Sequence, residues 1–168
     1  MSVRKLKPIT PGQRGRVVNG NDAITTDKPE KSLLTPKKRS GGRNNSGRMT
    51  ARYIGGGHKK RYRIIDFKRN RFDAPAEVKT IEYDPNRTGF IGVVNYKDGE
   101  KRYMLLPGSV KVGDELIISE TAKIKAGNRL PLKKVQVGTF VYNVEIKPNG
   151  GAKLGRSAGN HIEVVARD

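Results

Sequence analysis

The sequence predicts an all-β protein, an extended basic arm followed by small barrels or sandwiches. Three observations support that class. From Tyr62 the segments YRIIDFK, AEVKTIEYD, GFIGVVNYK and KRYMLLP follow one another, each short, rich in β-branched and aromatic residues, and bounded by turn residues. No segment carries helical periodicity for more than a turn or two. The first sixty residues carry neither period. They are broken by prolines at 8, 11, 29 and 36 and run polar and glycine-rich from Ser40 to Gly57, so no compact fold is expected there without a partner.

Element by element, residues 1–60 form the arm and residues 61–125 the first β unit. Asp98-Gly99, between the third and fourth segments, reads as a two-residue type I′ hairpin turn, which needs positive φ at both positions. Val110 to Ile118 supplies a further strand interrupted by a Gly113-Asp114 turn. After Lys125-Ala126-Gly127-Asn128 a second set begins, so residues 126–168 form the second β unit. Its expected strands are NRLPLKKVQV, FVYNVEI and HIEVVA. In the middle one Phe140, Tyr142, Val144 and Ile146 fall on one face at period two.

Composition narrows the function. The chain has 168 residues, 34% of them hydrophobic and 6% aromatic, with no Trp, so its buried core is small. Cysteine is absent, which excludes disulfides, thiol nucleophiles and Cys-ligated zinc. The basic start lacks an apolar stretch, and no apolar run approaches the length of a membrane span, so the chain reads as cytosolic. The sequons at Asn44 and Asn86 are then coincidences of composition.

Charge is lopsided. Of the formal net charge of +19, residues 1–72 carry 20 basic and 4 acidic side chains, and residues 73–168 carry 15 and 12. Residues 31–65 hold 11 Lys and Arg without one Asp or Glu, together with six glycines in the words GGRNNSGR and IGGGHKKR. Such a stretch calls for a polyanion. A membrane surface fits poorly, because the arm has no amphipathic helical stripe. Arg and Asn together supply planar forks for phosphates and amides for base edges. With no helix to enter a major groove, RNA is the expected partner. The arm's candidate contacts are Lys38, Arg39, Arg43, Asn44, Asn45, Arg48, Arg52, His58, Lys59, Lys60, Arg61 and Arg63, continued by Lys68 and Arg69.

Other chemistries fit less well. The word from Gly42 to Gly47 is followed by Arg48-Met49, where a P-loop needs Gly-Lys-Ser/Thr. Gly55 and Gly57 match the first two positions of a dinucleotide fingerprint, but Lys60 takes the third. His58 and His161 are the only histidines, which excludes a site of several imidazoles, so no metal, cofactor or small-molecule substrate is expected. His58 reads as a polar group of the RNA-facing arm and His161 as a rim residue of a strand. The pairs Asp114-Glu115 and Glu82-Asp84 read as turn and strand-end residues. No nucleophile or base stands out, so no enzyme is expected. A stand-alone single-strand binder would need stacking platforms, which ten aromatics with several in core positions provide poorly.

The words SGGRNNSGR (Ser40 to Arg48), RYIGGGHKKRYRIIDFKRN (Arg52 to Asn70), EYDPNR (Glu82 to Arg87), YKDGEKRYML (Tyr96 to Leu105) and GRSAGN (Gly155 to Asn160) resemble, in order and spacing, the universal second family of large-subunit ribosomal proteins in its bacterial form. With the NRLP and VYNVEIKP segments the resemblance covers nearly everything from Ser40 onward. It implies that the first unit is an OB-fold-like barrel and the second an SH3-like barrel. It implies a primary binder of large-subunit ribosomal RNA within the cytoplasmic ribosome, needed for subunit association, and so for contact with the small subunit, and for organising the peptidyl-transferase region. The arginines of the DPNR and RSAG words, Arg87 and Arg156, are implied to contact RNA, with Ser157 beside the second. The family normally continues past Ala166 to Asp168, so the second barrel is expected to be incomplete, its last strand HIEVVA left with an open edge.

Overall fold

A computed structural model describes residues 3–166. Met1 and Ser2 of the arm and Arg167 and Asp168 of the second unit lie outside the described residues. The protein is all-β: the longest helical segments are three-residue 3-10 turns at Pro11–Gln13, Lys31–Leu33 and Leu132–Lys134.

Four antiparallel strands form the centre. β5 (Ala76–Glu82), β6 (Ile91–Tyr96), β7 (Lys101–Leu105) and β8 (Glu115–Leu116) pair in the order β7-β6-β5-β8. A bulge between Val78 and Thr80 resets the alternation of β5. Ala76 and Val78 on one side of it and Ile81 on the other therefore join one core with Val94, Tyr96, Met104, Val110 and Leu116. Ile91, Val93, Tyr103 and Leu105 turn to the opposite face and pack with Ile65. Because β6 is covered on both faces, it reads as a nearly unbroken apolar run. At Gly92 a Cβ would fall 2.2 Å from the Leu106 side chain, so the close approach there requires glycine.

The β6–β7 hairpin falls where Asp98-Gly99 places it, but its turn differs. Asp98 does not have the positive φ that a type I′ turn needs, whereas Gly99 has φ of 85°. Gly99 N–H donates to the Tyr96 carbonyl and Tyr96 N–H to that of Glu100. This is a three-residue loop, a turn followed by a left-handed glycine, the next commonest hairpin connection after the two-residue turns.

The N-terminal sixty residues hold more structure than their composition predicts. β1 (Val3–Lys5) pairs with β2 (Val17–Asn19), and β3 (Leu34–Pro36) with β4 (Arg61–Arg63). Two polar anchors fasten residues 25–30 to the central sheet. Thr25 N–H donates to the Ile81 carbonyl (2.9 Å), and its hydroxyl accepts the Ile81 N–H (3.0 Å), closing an edge of β5 that β8 does not reach. Glu30 N–H donates to Tyr103 Oη (2.8 Å), which donates to Glu82 Oε2 (2.7 Å), while Lys101 Nζ holds the Glu30 carboxylate (2.8 Å). Leu33 packs on the Ile91 face. The β3–β4 pair crosses the boundary expected at residue 60.

Beyond residue 126 the expected strands shorten. Pro131 opens the 3-10 turn Leu132–Lys134 in place of a strand, since proline presets a turn and removes a donor. β9 (Phe140–Val141) pairs with β10 (Ile162–Glu163) for two residues only. Asn143 then takes φ of 55°, which breaks the alternation. Phe140 and Ile146, placed on one apolar face by that alternation, are 62% and 63% exposed, and among the described residues of this part Val135 and Ala152 are the buried hydrophobic side chains. The two parts are joined at Arg69, whose guanidinium donates to the Gly127 carbonyl (2.7 Å), and at Arg129, which donates to the Arg69 carbonyl (3.1 Å). Ala152 N–H also donates to the Phe67 carbonyl (2.9 Å).

Candidate nucleic-acid interface

Between β3 and β4 lies the GGRNNSGR segment, folded by turn chemistry rather than by a core. Asn44 Oδ1 accepts from Ser46 N–H (3.0 Å), Ser46 Oγ (2.8 Å) and Arg48 N–H (2.9 Å), tying the loop tip. Arg43 and Met49 bridge across it, and the Gly42 carbonyl accepts from Thr50 N–H (2.8 Å) and Ala51 N–H (3.1 Å). Gly42 has φ of 76°, and a Cβ there would meet the Ala51 carbonyl oxygen at 2.2 Å, so no other residue fits. Arg39 donates to the Gly56 carbonyl (2.6 Å) and closes the second glycine word.

The backbone of the tip is thus tied internally while the charges face out. Lys38, Arg43, Asn45, Arg48, Arg52, His58, Lys59 and Arg61 are exposed, and Lys60 and Arg63 are half-buried. Among the described residues, none of the 11 cations of residues 31–65 makes an ion pair. The central sheet is the reverse. Arg71 pairs with Asp98 and Glu100, and Arg102 with Asp66 and Glu100. Burial alone would loosen the Arg102 proton, but the Asp66 and Glu100 carboxylates outweigh it and hold the charge more firmly than usual. The Asp98 carboxyl is lowered by its bond to Arg71 and by the Glu100 N–H. Positive charge is therefore cancelled on the sheet and left open on the loop.

A second cluster joins the two parts of the chain. Arg87 is bound by the fully buried Asp84, which also accepts Asn86 N–H (2.8 Å). The Arg87 guanidinium lies 5.4 Å from the centre of the Tyr62 ring and 5.9 Å from that of Phe67. Arg156, exposed, lies 4.8 Å from the same Phe67 ring. Ala158 N–H donates to Thr88 Oγ1 (3.1 Å), seating the GRSAGN loop on the DPNRTG loop, with Ser157 exposed between. Arg87 and Arg156 are thereby brought together from sequence positions far apart. Phe67, their shared ring, reads in the sequence as one more strand residue. Lys37, which reaches Asn86 Oδ1 (3.0 Å), brings the loop's stem to the same place.

Not every candidate faces solvent. Arg69 is 6% exposed, with its guanidinium committed to Gly127, so it holds the two parts together. Asn44 spends its carbonyl oxygen on its own loop, whereas Lys68 stays exposed beside Gly151.

Residues 30–118 match the family model described as Ribosomal Proteins L2, RNA binding N-terminal domain, and residues 125–168 the one described as Ribosomal Proteins L2, C-terminal domain. The chain belongs to the L2 family of ribosomal proteins. It is 58% identical over 168 residues to the large ribosomal subunit protein uL2 of Flavobacterium johnsoniae, and 55% over 168 residues to that of Bacteroides thetaiotaomicron. Each alignment takes in 100% of this chain and 61% of the relative, so the chain spans about three-fifths of the length of the curated relatives it matches. The cation-rich loop and the Arg87 cluster both fall in the part matched by the RNA-binding model, and Arg156 in the part matched by the other.

Proposed function

We propose that the chain is a structural constituent of the large ribosomal subunit that binds large-subunit ribosomal RNA, acting in the bacterial cytoplasm without catalysing a reaction. The observation that carries this reading is the loop between β3 and β4. It has a tip tied by its own turns, outward cations and no carboxylate, and so lacks only a polyanion. The division into a basic arm (1–60), an OB-fold-like barrel (61–125) and an SH3-like barrel (126–168) belongs to the same reading. It is supported by the curled central sheet and by the polar joints at Arg69 and Arg129.

Within it the exposed loop cations neutralise phosphates, and Arg87 and Arg156 form a second contact around Phe67. Roles in subunit association, in contact with the small subunit and in organising the peptidyl-transferase region follow from the family and are carried by the assembly rather than by any one side chain here.

The test is titration against large-subunit ribosomal RNA of Flavobacterium johnsoniae over a range of salt. Binding that releases counterions falls linearly with log salt, by about 0.7 to 0.9 per neutralised phosphate. Replacing Arg43, Arg48, Arg52, Lys59 and Lys60 by Gln should flatten that slope by about 3 to 5 units. An unchanged slope would take the loop off the phosphates.

A further inference from the structure

Charge does not explain Tyr53. It sits in the middle of the cation-rich loop with its side chain 97% exposed. Its φ of 60° lies in the left-handed region, where a bulky residue is an outlier. Gly56 and Gly57, three and four residues on, also have positive φ and free the backbone there. An aromatic ring held in a strained conformation and almost wholly in solvent gains little in the isolated chain. Such strain points to a use at a binding surface.

The surroundings specify the partner. The Arg52 guanidinium lies 5.8 Å from the ring centre, bracing the ring and adding charge beside it. Arg48, His58 and Lys59 are exposed nearby in sequence, and no carboxylate occurs from residue 31 to residue 65. Whatever docks here must be polyanionic and must also present a flat apolar face at the same spot. A protein surface rarely offers both within one side chain's reach, whereas an unstacked nucleotide offers a phosphate and a π-face in every unit. We propose that Tyr53 is a stacking platform for an unpaired nucleobase of the bound RNA, with Arg52 steadying the ring and meeting the adjoining phosphate. The inference rests on the RNA-binding reading above and assigns one residue of that surface a distinct contact.

Stacking and charge neutralisation respond differently to salt, which provides the test. Wild type, Tyr53→Phe, Tyr53→Ala and Arg52→Gln are titrated with large-subunit ribosomal RNA of Flavobacterium johnsoniae at several salt concentrations, after their melting temperatures are matched. Tyr53→Ala should lose about five- to 150-fold in affinity with the salt slope unchanged. Tyr53→Phe should stay within about twofold, because the ring is kept. Arg52→Gln should flatten the slope by about 0.7 to 0.9. Since the chain has no Trp, Tyr53→Trp places a single indole on the platform, and RNA should quench its emission. Tyr53→Ala binding as tightly as wild type, or an indole left unquenched while RNA is bound, would overturn the inference and leave the RNA-binding reading standing. The same holds if affinity falls with the slope flattened as much as in Arg52→Gln, or if quenching appears only with an added protein. Wild type failing to bind RNA at all would remove that reading and this inference together.

Discussion

The central sheet and the loop between β3 and β4 are both ordered, but by opposite means. In the sheet, order comes from apolar side chains taken out of water on two faces, with Ile91 and Val94 completely buried and the cations paired with carboxylates. In the loop, order comes from one asparagine oxygen, one obligatory glycine and a few carbonyls, with nearly every side chain in solvent. A surface can therefore be given a fixed shape without spending its polar groups on a core, and its charges remain available to a partner. The Arg87 cluster lies between these extremes, its guanidinium half-buried on aromatic rings and bound to a buried carboxylate.

The contrast can be broken most directly at Ile91. Ile91→Ala should cost about 2 to 5 kcal/mol of stability by urea unfolding, the range for opening a cavity in a packed core. A negligible loss would mean that the sheet is not where stability resides. At the intermediate cluster, Asp84→Ala should cost about 2 to 4 kcal/mol, because it strands Arg87 beside the rings and leaves the Asn86 N–H without its acceptor. Its RNA affinity, measured below the midpoint of unfolding, should fall as well. Full affinity would separate Arg87 from the interface.

The third test uses pH. Burial, and then the bond to Glu82, raise the Tyr103 hydroxyl above its ordinary value of 10.0. A proton held more tightly in the folded chain contributes stability that is complete below about pH 10. That contribution is lost as pH rises through the folded value. Unfolding free energy should therefore decline from about pH 10 upward, and Tyr103→Phe should decline less steeply, although it starts lower for want of the Glu30 and Glu82 bonds. Parallel profiles would count against Tyr103 as the anchor. The smallest expected change is at the loop. Gly42→Ala should cost about 1 to 2 kcal/mol, because its Cβ meets the Ala51 carbonyl oxygen at a positive φ, and should weaken RNA binding by collapsing the loop's shape. A large drop in melting temperature would show that the loop and the sheet unfold as one.

Legibility in the sequence follows the range of the interactions. The strands β5, β6 and β7 are readable because β-branched and aromatic enrichment and flanking turn residues are local signals, and the loop's charge is readable for the same reason. The anchors of the arm are not, since Thr25 meets Ile81 across 56 positions and Glu30 meets Tyr103 across 73. Arg69 looks like another exposed cation until Gly127, 58 residues on, supplies the carbonyl that buries it. In the second part, the period-two pattern from Phe140 to Ile146 is present in the sequence, but the left-handed Asn143 turns the chain before the pattern can be used. Phe67 carries no local mark of its place between Arg87 and Arg156, because that place depends on Thr88 holding Ala158 across 70 positions.

The antiparallel pairing of Pro36 with Arg61 has an architectural consequence. It brings the entrance and the exit of the intervening segment side by side, so that everything between them is a cassette plugged into a fixed socket. For such a segment each doubling of length costs only about 0.6 kcal/mol of closure entropy. Residues could be inserted or removed near its tip without disturbing the sheet below, and grafting this cassette onto another hairpin with the same stem would transplant its cationic surface as a unit.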